Sequence, residues 1–499
     1  MSTLAHLPLG QRIPPSVHGV SCSLPTMRDV VGYEEKDPET LRHLTSGYPR
    51  FVLHPFVREL TTAFSHELGL NGQTLWLTAS ARTADDLARE LGAAHATRIT
   101  HDGLHGVAHP TTPELGTRAK VYLQNVGGFL SSREAEDHLV RRGLRAAAEP
   151  ETTASDDPLG HVTTALLAAY PGTTAADVLL APSGMAAFTA AWRTLSELQA
   201  SRGRTIWIQL GWLYLDTIAL LKRFAARPED YVYLPNVADQ AALAAACRAA
   251  GDRLAGVVTE TPTNPLLQMP DLPALTATVH QYGGRVLLDP TLVSPLNLNI
   301  LPFADVVVNS LTKYAANEGD VIAGAVIVNP RGADAAYLRQ RIARRADPIY
   351  RRDLARLAAQ LDAMPDLIAQ ANRSAPQVVA FLEQHPNVKD VFWTGRAATV
   401  ANYRAVTHSP AHVGAMVSFT VRKPLAEFYD RLRLAKGPSF GMKRTLICPF
   451  MYLAHYDLVT TATGRAELAA SGIDPDLLRL SLGCEPVDEI IAAMAEALA

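Results

Sequence analysis

The sequence predicts an α/β protein built on a mostly parallel sheet, and three features carry that prediction. Five short runs in the middle third, "TIWIQL", "YVYLP", "LAGVVTE", "RVLLDP" and "ADVVVNS", are rich in β-branched and aromatic residues. They alternate with helical stretches such as "DTIALLKRFAA", "ADQAALAAACRAAG" and "LPALTATVHQYGG". Several runs are apolar at nearly every position, as strands covered on both faces are. Such alternation implies helices on both sides of the sheet and ligand groups in the loops at the carboxyl ends of the strands.

The remaining elements fall around this core. Residues 1–55 read as an amino-terminal arm. Residues 56–156 form a small inserted α/β unit, in which "QTLWLTAS", "RTADDLARELGAA", "KVYLQNVGG" and "SREAEDHLVRRGL" read as strand, helix, strand, helix. The large domain spans 157–346. A smaller carboxyl-terminal α/β domain, 347–499, opens with the long helical stretch "RRDLARLAAQLDAMPDLIAQANRSAPQVVAFLEQH". It continues through the strand "AMVSFTV" to a last helix, "VDEIIAAMAEALA". With 499 residues, 48% of them hydrophobic, the chain can fill more than one core.

Composition excludes several kinds of function. Lys plus Arg total 46 against 49 Asp plus Glu, a net charge of -3, so neither nucleic acid nor an anionic membrane surface is an expected partner. No apolar run is long enough to cross a bilayer, and the amino terminus lacks the basic and then apolar pattern of a secretory signal. The four cysteines, Cys22, Cys247, Cys448 and Cys484, have no CxxC spacing. They read as reduced thiols, with no metal site. The expectation is a cytoplasmic protein acting on a small molecule.

The chemistry centres on "NSLTKYAANEGD". Lys313 follows an apolar strand and stands among the hydroxyls of Ser310 and Thr312. A lysine amine at a strand end can form a Schiff base with an aldehyde, and pyridoxal phosphate (PLP) is the cofactor that uses one. That cofactor also needs an acid for its ring nitrogen and donors for its phosphate. Asp289, closing the run "RVLLD", is a buried charge in search of a cation. In "APSGMAA", Ser183 and Gly184 break an apolar segment before a helix, where the amides of Gly184 and Met185 can meet an anion.

In this order, "APSGMAA", "ETPTNPL", "LLDPT", "NSLTKY" and "RLSLGCE" resemble the Cys/Met metabolism PLP enzymes. The resemblance covers roughly residues 20 to 55 and 160 to 499. It implies the aspartate aminotransferase-like fold (fold type I PLP) and a homo-oligomer, a dimer or tetramer with active sites shared between copies. It implies Lys313 as the covalent tether, Asp289 at the pyridine nitrogen, and Gly184, Met185, Ser310 and Thr312 at the phosphate. Tyr214 would stack on the ring and exchange protons, with Asn264 and Thr291 beside it. Tyr48 and Arg50, in "SGYPRF", would reach the phosphate of a neighbouring copy, so that the arm completes the neighbour's site. Arg479 would bind the substrate carboxylate, with Ser439 close by.

Departures from the family pattern bear on substrate choice. Pro290 follows Asp289 where asparagine is common, and "AANEGD" replaces the usual run after the lysine. The insertion, with "SLPTMRDVVGYEEKDP", resembles the long fungal-type cystathionine γ-synthase subgroup. The first expectation is therefore γ-replacement on an O-acyl homoserine by cysteine, giving cystathionine. The alternative is a γ- or β-eliminating lyase that forms an unsaturated amino acid in specialised metabolism. A non-catalytic relative is disfavoured by the joint retention of Lys313, Asp289, Tyr214 and Arg479. A nucleotide-binding reading fails for want of a P-loop or GxGxxG pattern.

Overall fold

The computed structural model describes residues 4–45, 52–154 and 156–499. The insertion is a three-stranded antiparallel sheet with helices on both sides. Its helices are α1 (Pro55–Glu67), α2 (Ala81–Leu91), α3 (Pro113–Val126) and α4 (Ser132–Arg141). Its strands are β1 (Gln73–Thr78), β2 (Thr97–His101) and β3 (Leu104–Pro110), in the order β1-β3-β2.

The segment "KVYLQNV", expected as a strand, lies in α3. Thr112 caps the helix, Pro113 sits at its first position, and Leu115, Ala119, Tyr122, Leu123 and Val126 form one buried stripe at helical spacing. That periodicity over fourteen residues outweighs the β preference of three. The β2–β3 hairpin, which the sequence reading does not include, turns on Asp102 and Gly103, both at positive φ. Asp-Gly suits such a turn because both central residues of the tight hairpin turn need that conformation.

The large sheet contains β4 (Val178–Ala181), β5 (Ile206–Leu210), β6 (Tyr231–Leu234), β7 (Leu254–Glu260), β8 (Arg285–Asp289), β9 (Val306–Ser310) and β10 (Gly324–Val328). Its order is β4-β10-β9-β8-β7-β5-β6, and β10 alone runs against the others. All five strands expected from the middle third are present. Successive valines of β9 serve opposite faces, as the pleat requires. Val306 and Val308 pack with Phe188, Trp192 and Leu195 of helix α5 (Gly184–Ala200), whereas Val307 shares a core with Leu275 and Val279 on the other side. Each fully buried valine contributes about 1.5–3 kcal/mol, so the centre of the sheet is its most firmly held part.

Helix α6 (Leu215–Phe224) follows β5. Helices α7 (Arg351–Leu361) and α8 (Met364–Gln384) lead into a five-stranded sheet. Its strands are β11 (Val388–Phe392), β12 (Met416–Val421), β13 (Ala435–Lys436), β14 (Leu446–Pro449) and β15 (Leu478–Ser481), ordered β11-β12-β15-β14-β13. Helix α9 (Val487–Leu498) closes the chain. Among the described residues no helix is long and apolar enough to cross a membrane.

The insertion docks onto the amino-terminal end of α5. Gly127, at φ +68°, ends α3, and its carbonyl accepts a hydrogen bond from Ser183 Oγ at 3.1 Å. A Cβ on Gly127 would lie 2.2 Å from that hydroxyl oxygen. Gly127→Ala is therefore expected to destabilise the protein by about 1–3 kcal/mol and to speed proteolysis within the insertion. Gly116→Ala, on an open side of the same helix, is expected to be neutral or stabilising. Chemical denaturation and limited proteolysis of the two variants check the contrast.

Candidate active site

Three neighbouring strands end at one cavity of about 230 Å³. β7 closes on Glu260, β8 on Asp289 and β9 on Ser310, with Lys313 in the turn that follows. Parallel register sets Glu260 directly opposite Asp289. All four line the cavity, as do Tyr214 and Arg479.

Asp289 Oδ1 accepts the Thr291 amide at 2.8 Å. Burial pushes the Asp289 carboxyl up to about 6, against the pull of the Thr291 hydrogen bonds and the charge of Lys313. Thr291 Oγ1 also accepts from the Ser310 amide at 2.8 Å and from Asn309 Nδ2 at 3.2 Å, which ties the ends of β8 and β9 together.

Lys313 Nζ donates to Ser439 Oγ at 3.1 Å and lies 4.8 Å from the centre of the Phe440 ring. Ser439 sits at φ +81°, a conformation that costs a serine free energy and that its surroundings impose. Gly441 backs directly onto Lys313: an added Cβ would lie 3.2 Å from the Lys313 carbonyl carbon. Arg479, on β15, stacks between the rings of Phe440 and Phe450 at 5.1 and 4.6 Å. Its guanidinium donates to Asn264 Oδ1 at 3.1 Å and to the Ser439 carbonyl at 3.3 Å.

At the amino terminus of α5, Ser183 caps the helix and Gly184 and Met185 supply its first two amides, which have no preceding turn to bond. Gly184 lies so close to Ser310 that a Cβ would come within 2.9 Å of its hydroxyl oxygen. Thr312 lines the same cavity, but its hydroxyl donates to the Ala323 carbonyl at 3.2 Å and accepts from the Ala323 amide at 3.1 Å. Tyr48 and Arg50 lie outside the described residues.

Two further sets of residues, not singled out by any sequence motif, belong to the cavity. One is Glu260, whose Oε1 accepts the Tyr214 amide at 2.5 Å. Burial and the neighbouring Asp289 raise its carboxyl well above the usual range. The acid directly before "TPTNP" is visible in the sequence, but strand register is what brings it beside Asp289. The other set comes from the chain's own arm and insertion: His18, Phe129, Leu130, Ser132 and Glu134 line the cavity. His18 bonds Ser132 Oγ at 2.9 Å and meets Glu136 at 3.3 Å. Buried Arg133 is enclosed by Glu151, Asp320 and Asp353.

A model of the Cys/Met metabolism PLP-dependent enzymes matches residues 158–499. The chain belongs to that family. It is 40% identical over 486 residues to the L-2-amino-4-chloropent-4-enoate dechlorinase/desaturase of Streptantibioticus cattleyicolor, with 97% of each chain covered, so the likeness runs through the insertion. It is 26% identical to the cystathionine gamma-synthase-like protein ankD of Aspergillus thermomutatus, over 98% of this chain and 94% of that one. The solved cystathionine gamma synthase of Xanthomonas oryzae pv. oryzae, in complex with cystathionine, shares the fold with a TM-score of 0.58 at 23% identity, over 70% of this chain and 89% of that one. The fold is thus that of the fold type I PLP enzymes, and PLP is the family's cofactor.

The residues present fit that cofactor. The free amides at the start of α5, packed against Ser310, make an anion cradle too tight for any side chain at position 184. Asp289 is an acceptor held in low dielectric with Lys313 as the cation that acts on it. A lysine, an acid and an anion cradle therefore share one cavity.

Glu134 is one of several acids that line the cavity, with Asp216, Asp320 and Asp353. Burial first, then Asp353 and Asp137, push it up to about 7 from an ordinary 4.5, opposed by Arg141. The fold therefore favours the protonated form. That contribution is whole below pH 4.5 and is lost as the pH rises through 7. Glu134→Gln is expected to raise the apparent Tm relative to the parent protein by about 1–3 °C more at pH 8 than at pH 5. Thermal scans at the two pH values check the sign.

Proposed function

We propose that the protein is a PLP-dependent lyase that eliminates a γ-substituent from a small L-α-amino acid and adds no thiol in its place. The observation that carries this reading is the full-length likeness to the dechlorinase/desaturase, insertion included. The charges of the cavity support it. Among the described lining residues the lysine and arginines are Lys313, Arg479 and Arg133, and Arg133 is already enclosed by three carboxylates. A substrate with a second, purely anionic head group, such as a succinyl ester, has little to bind there. A small apolar γ-substituent suits walls formed by Phe129, Leu130 and Leu53.

When bound, the cofactor supplies an electron sink for the pair left at Cα. The amides of Gly184 and Met185 with Ser310 would hold its phosphate, and Thr312 would join them on turning its proton away from Ala323. Asp289 would hold its ring nitrogen, with Tyr214, Asn264 and Thr291 around the ring. A homo-oligomer in which Tyr48 and Arg50 reach a neighbouring copy's phosphate belongs to the same proposal.

Arg479 grips the substrate's α-carboxylate, and Asn264 and the two phenylalanines fix the plane of its guanidinium. That grip sets which bond at Cα faces Lys313. Ser439 steers the Lys313 amine, which moves the proton at Cα and then takes one from Cβ. The γ-substituent leaves with its bonding pair, so the Cβ proton and the departing anion balance. Phe440 covers one side of the amine and keeps water from it.

With L-2-amino-4-chloropent-4-enoate, the loaded enzyme is expected to release chloride at the same rate with and without cysteine. With O-acetylhomoserine and cysteine it is expected to form no cystathionine. A thioether product that appears only with cysteine would instead establish replacement. Arg479→Lys loses the planar two-point contact and is expected to raise KM at least about tenfold, read from steady-state kinetics.

A further inference from the structure

Glu260 is a titratable group at the centre of the site that the proposed reaction does not use. It stands opposite Asp289 on the adjacent parallel strand, and residues paired in register point to the same face. Both carboxyls line the cavity. Two such groups side by side in low dielectric do not both ionise cheaply, and they titrate as a pair.

The surroundings decide which of the two carries the charge. Asp289 opens partly onto the cavity, receives the Thr291 amide and faces Lys313, while buried Tyr170 stands close enough for its phenol to feel the Asp289 charge. Glu260 is buried, 8% exposed. It receives the amides of Tyr214 and Asn264, and the cation acting on it is Arg479, which already donates to Asn264 and to the Ser439 carbonyl. Both amides and Arg479 favour the ionised form of Glu260, but burial and the charge of Asp289 on the adjacent strand outweigh them.

We propose that Glu260 holds the proton of this pair, which reserves the negative charge for Asp289 while anchoring Tyr214 at the cavity wall. Glu260 is thus a positioning residue: it acts through Asp289 and through the backbone of Tyr214. The proposal rests on the reading of Asp289 as the cofactor's partner for its purpose, but the pair itself exists in the cofactor-free protein and is tested there. A carboxyl protonated in the fold and ionised in the unfolded chain makes stability fall as the pH rises.

The test is the apparent Tm of cofactor-free protein from pH 6 to 9 for the parent, Glu260→Gln and Asp289→Asn, with near-ultraviolet circular dichroism to confirm folding. Glu260→Gln is expected to cut the loss of Tm between pH 7 and 9 to under about half, because its amide cannot ionise. Asp289→Asn is expected to move that loss to lower pH, because Glu260 then ionises without a charged neighbour. A slope unchanged in both variants, or a Tm lowered equally at every pH by Glu260→Gln, overturns the proposal. The loaded enzyme gives a second reading: the alkaline limb of kcat/KM is expected to move up in Glu260→Gln, and an unmoved limb counts against the role. Failure of the lyase reading would change the products and leave the cofactor-free slopes intact.

Discussion

The site depends on the parallel register of β7, β8 and β9. These strands deliver Glu260, Asp289 and Ser310 to one edge of the sheet, with Lys313 in the turn just beyond. The buried valines and leucines that hold the strands together contribute far more free energy than a single polar contact offers, about 1.5–3 kcal/mol per side chain against about 1 kcal/mol for a hydrogen bond. The apolar register can therefore impose a cluster of carboxyls and an amine that would not assemble unaided. Desolvation is the cost, and it appears as two carboxyl groups raised above their ordinary range. The same register packs Ser310 against Gly184, which joins the anion-binding end of α5 to the lysine turn.

The insertion is part of this site. Its α3 ends on the cap of α5, and Gln124 and Asn125 donate to Asp216 in the first turn of α6 at 2.8 and 3.2 Å. Arg133 ties α4 to Asp320 and to Asp353 of α7. Removing one partner of a buried ion cluster typically costs about 3–5 kcal/mol, enough to hold the insertion in place over the cavity. One chain thus walls part of its own cavity with residues from segments that precede the family domain in sequence.

Much of this was legible in the sequence, and the reasons divide cleanly. Strand runs such as "VVVNS" and "VLLD" are readable because two-sided burial leaves an unbroken apolar string, and the residue after each string falls at the sheet edge. Lys313, Asp289, Gly184 and Asn264 meet at one cavity for that reason, and Ser439 and Arg479 reach it from the small domain. The segment "KVYLQNV" misleads because a short window shows β-branched and aromatic residues, whereas the helix signal lies upstream in Thr112 and Pro113 and in the spacing out to Val126. Glu260 escapes notice because its importance lies in a neighbour across the sheet, and a single sequence does not state register. His18, Phe129 and Glu134 escape for a related reason: their distance from Lys313 along the chain is closed only by the docking of the insertion.

The proposed chemistry requires that this one cavity hold PLP on Lys313. The direct measurement is borohydride reduction of cofactor-loaded protein, followed by protease digestion and mass-spectrometric mapping of the labelled peptide. A pyridoxyl group is expected on Lys313 alone, in the peptide containing "SLTKYAANEGD", with no label at that peptide in Lys313→Ala. A label on another lysine, or none on folded protein given excess cofactor, would contradict it.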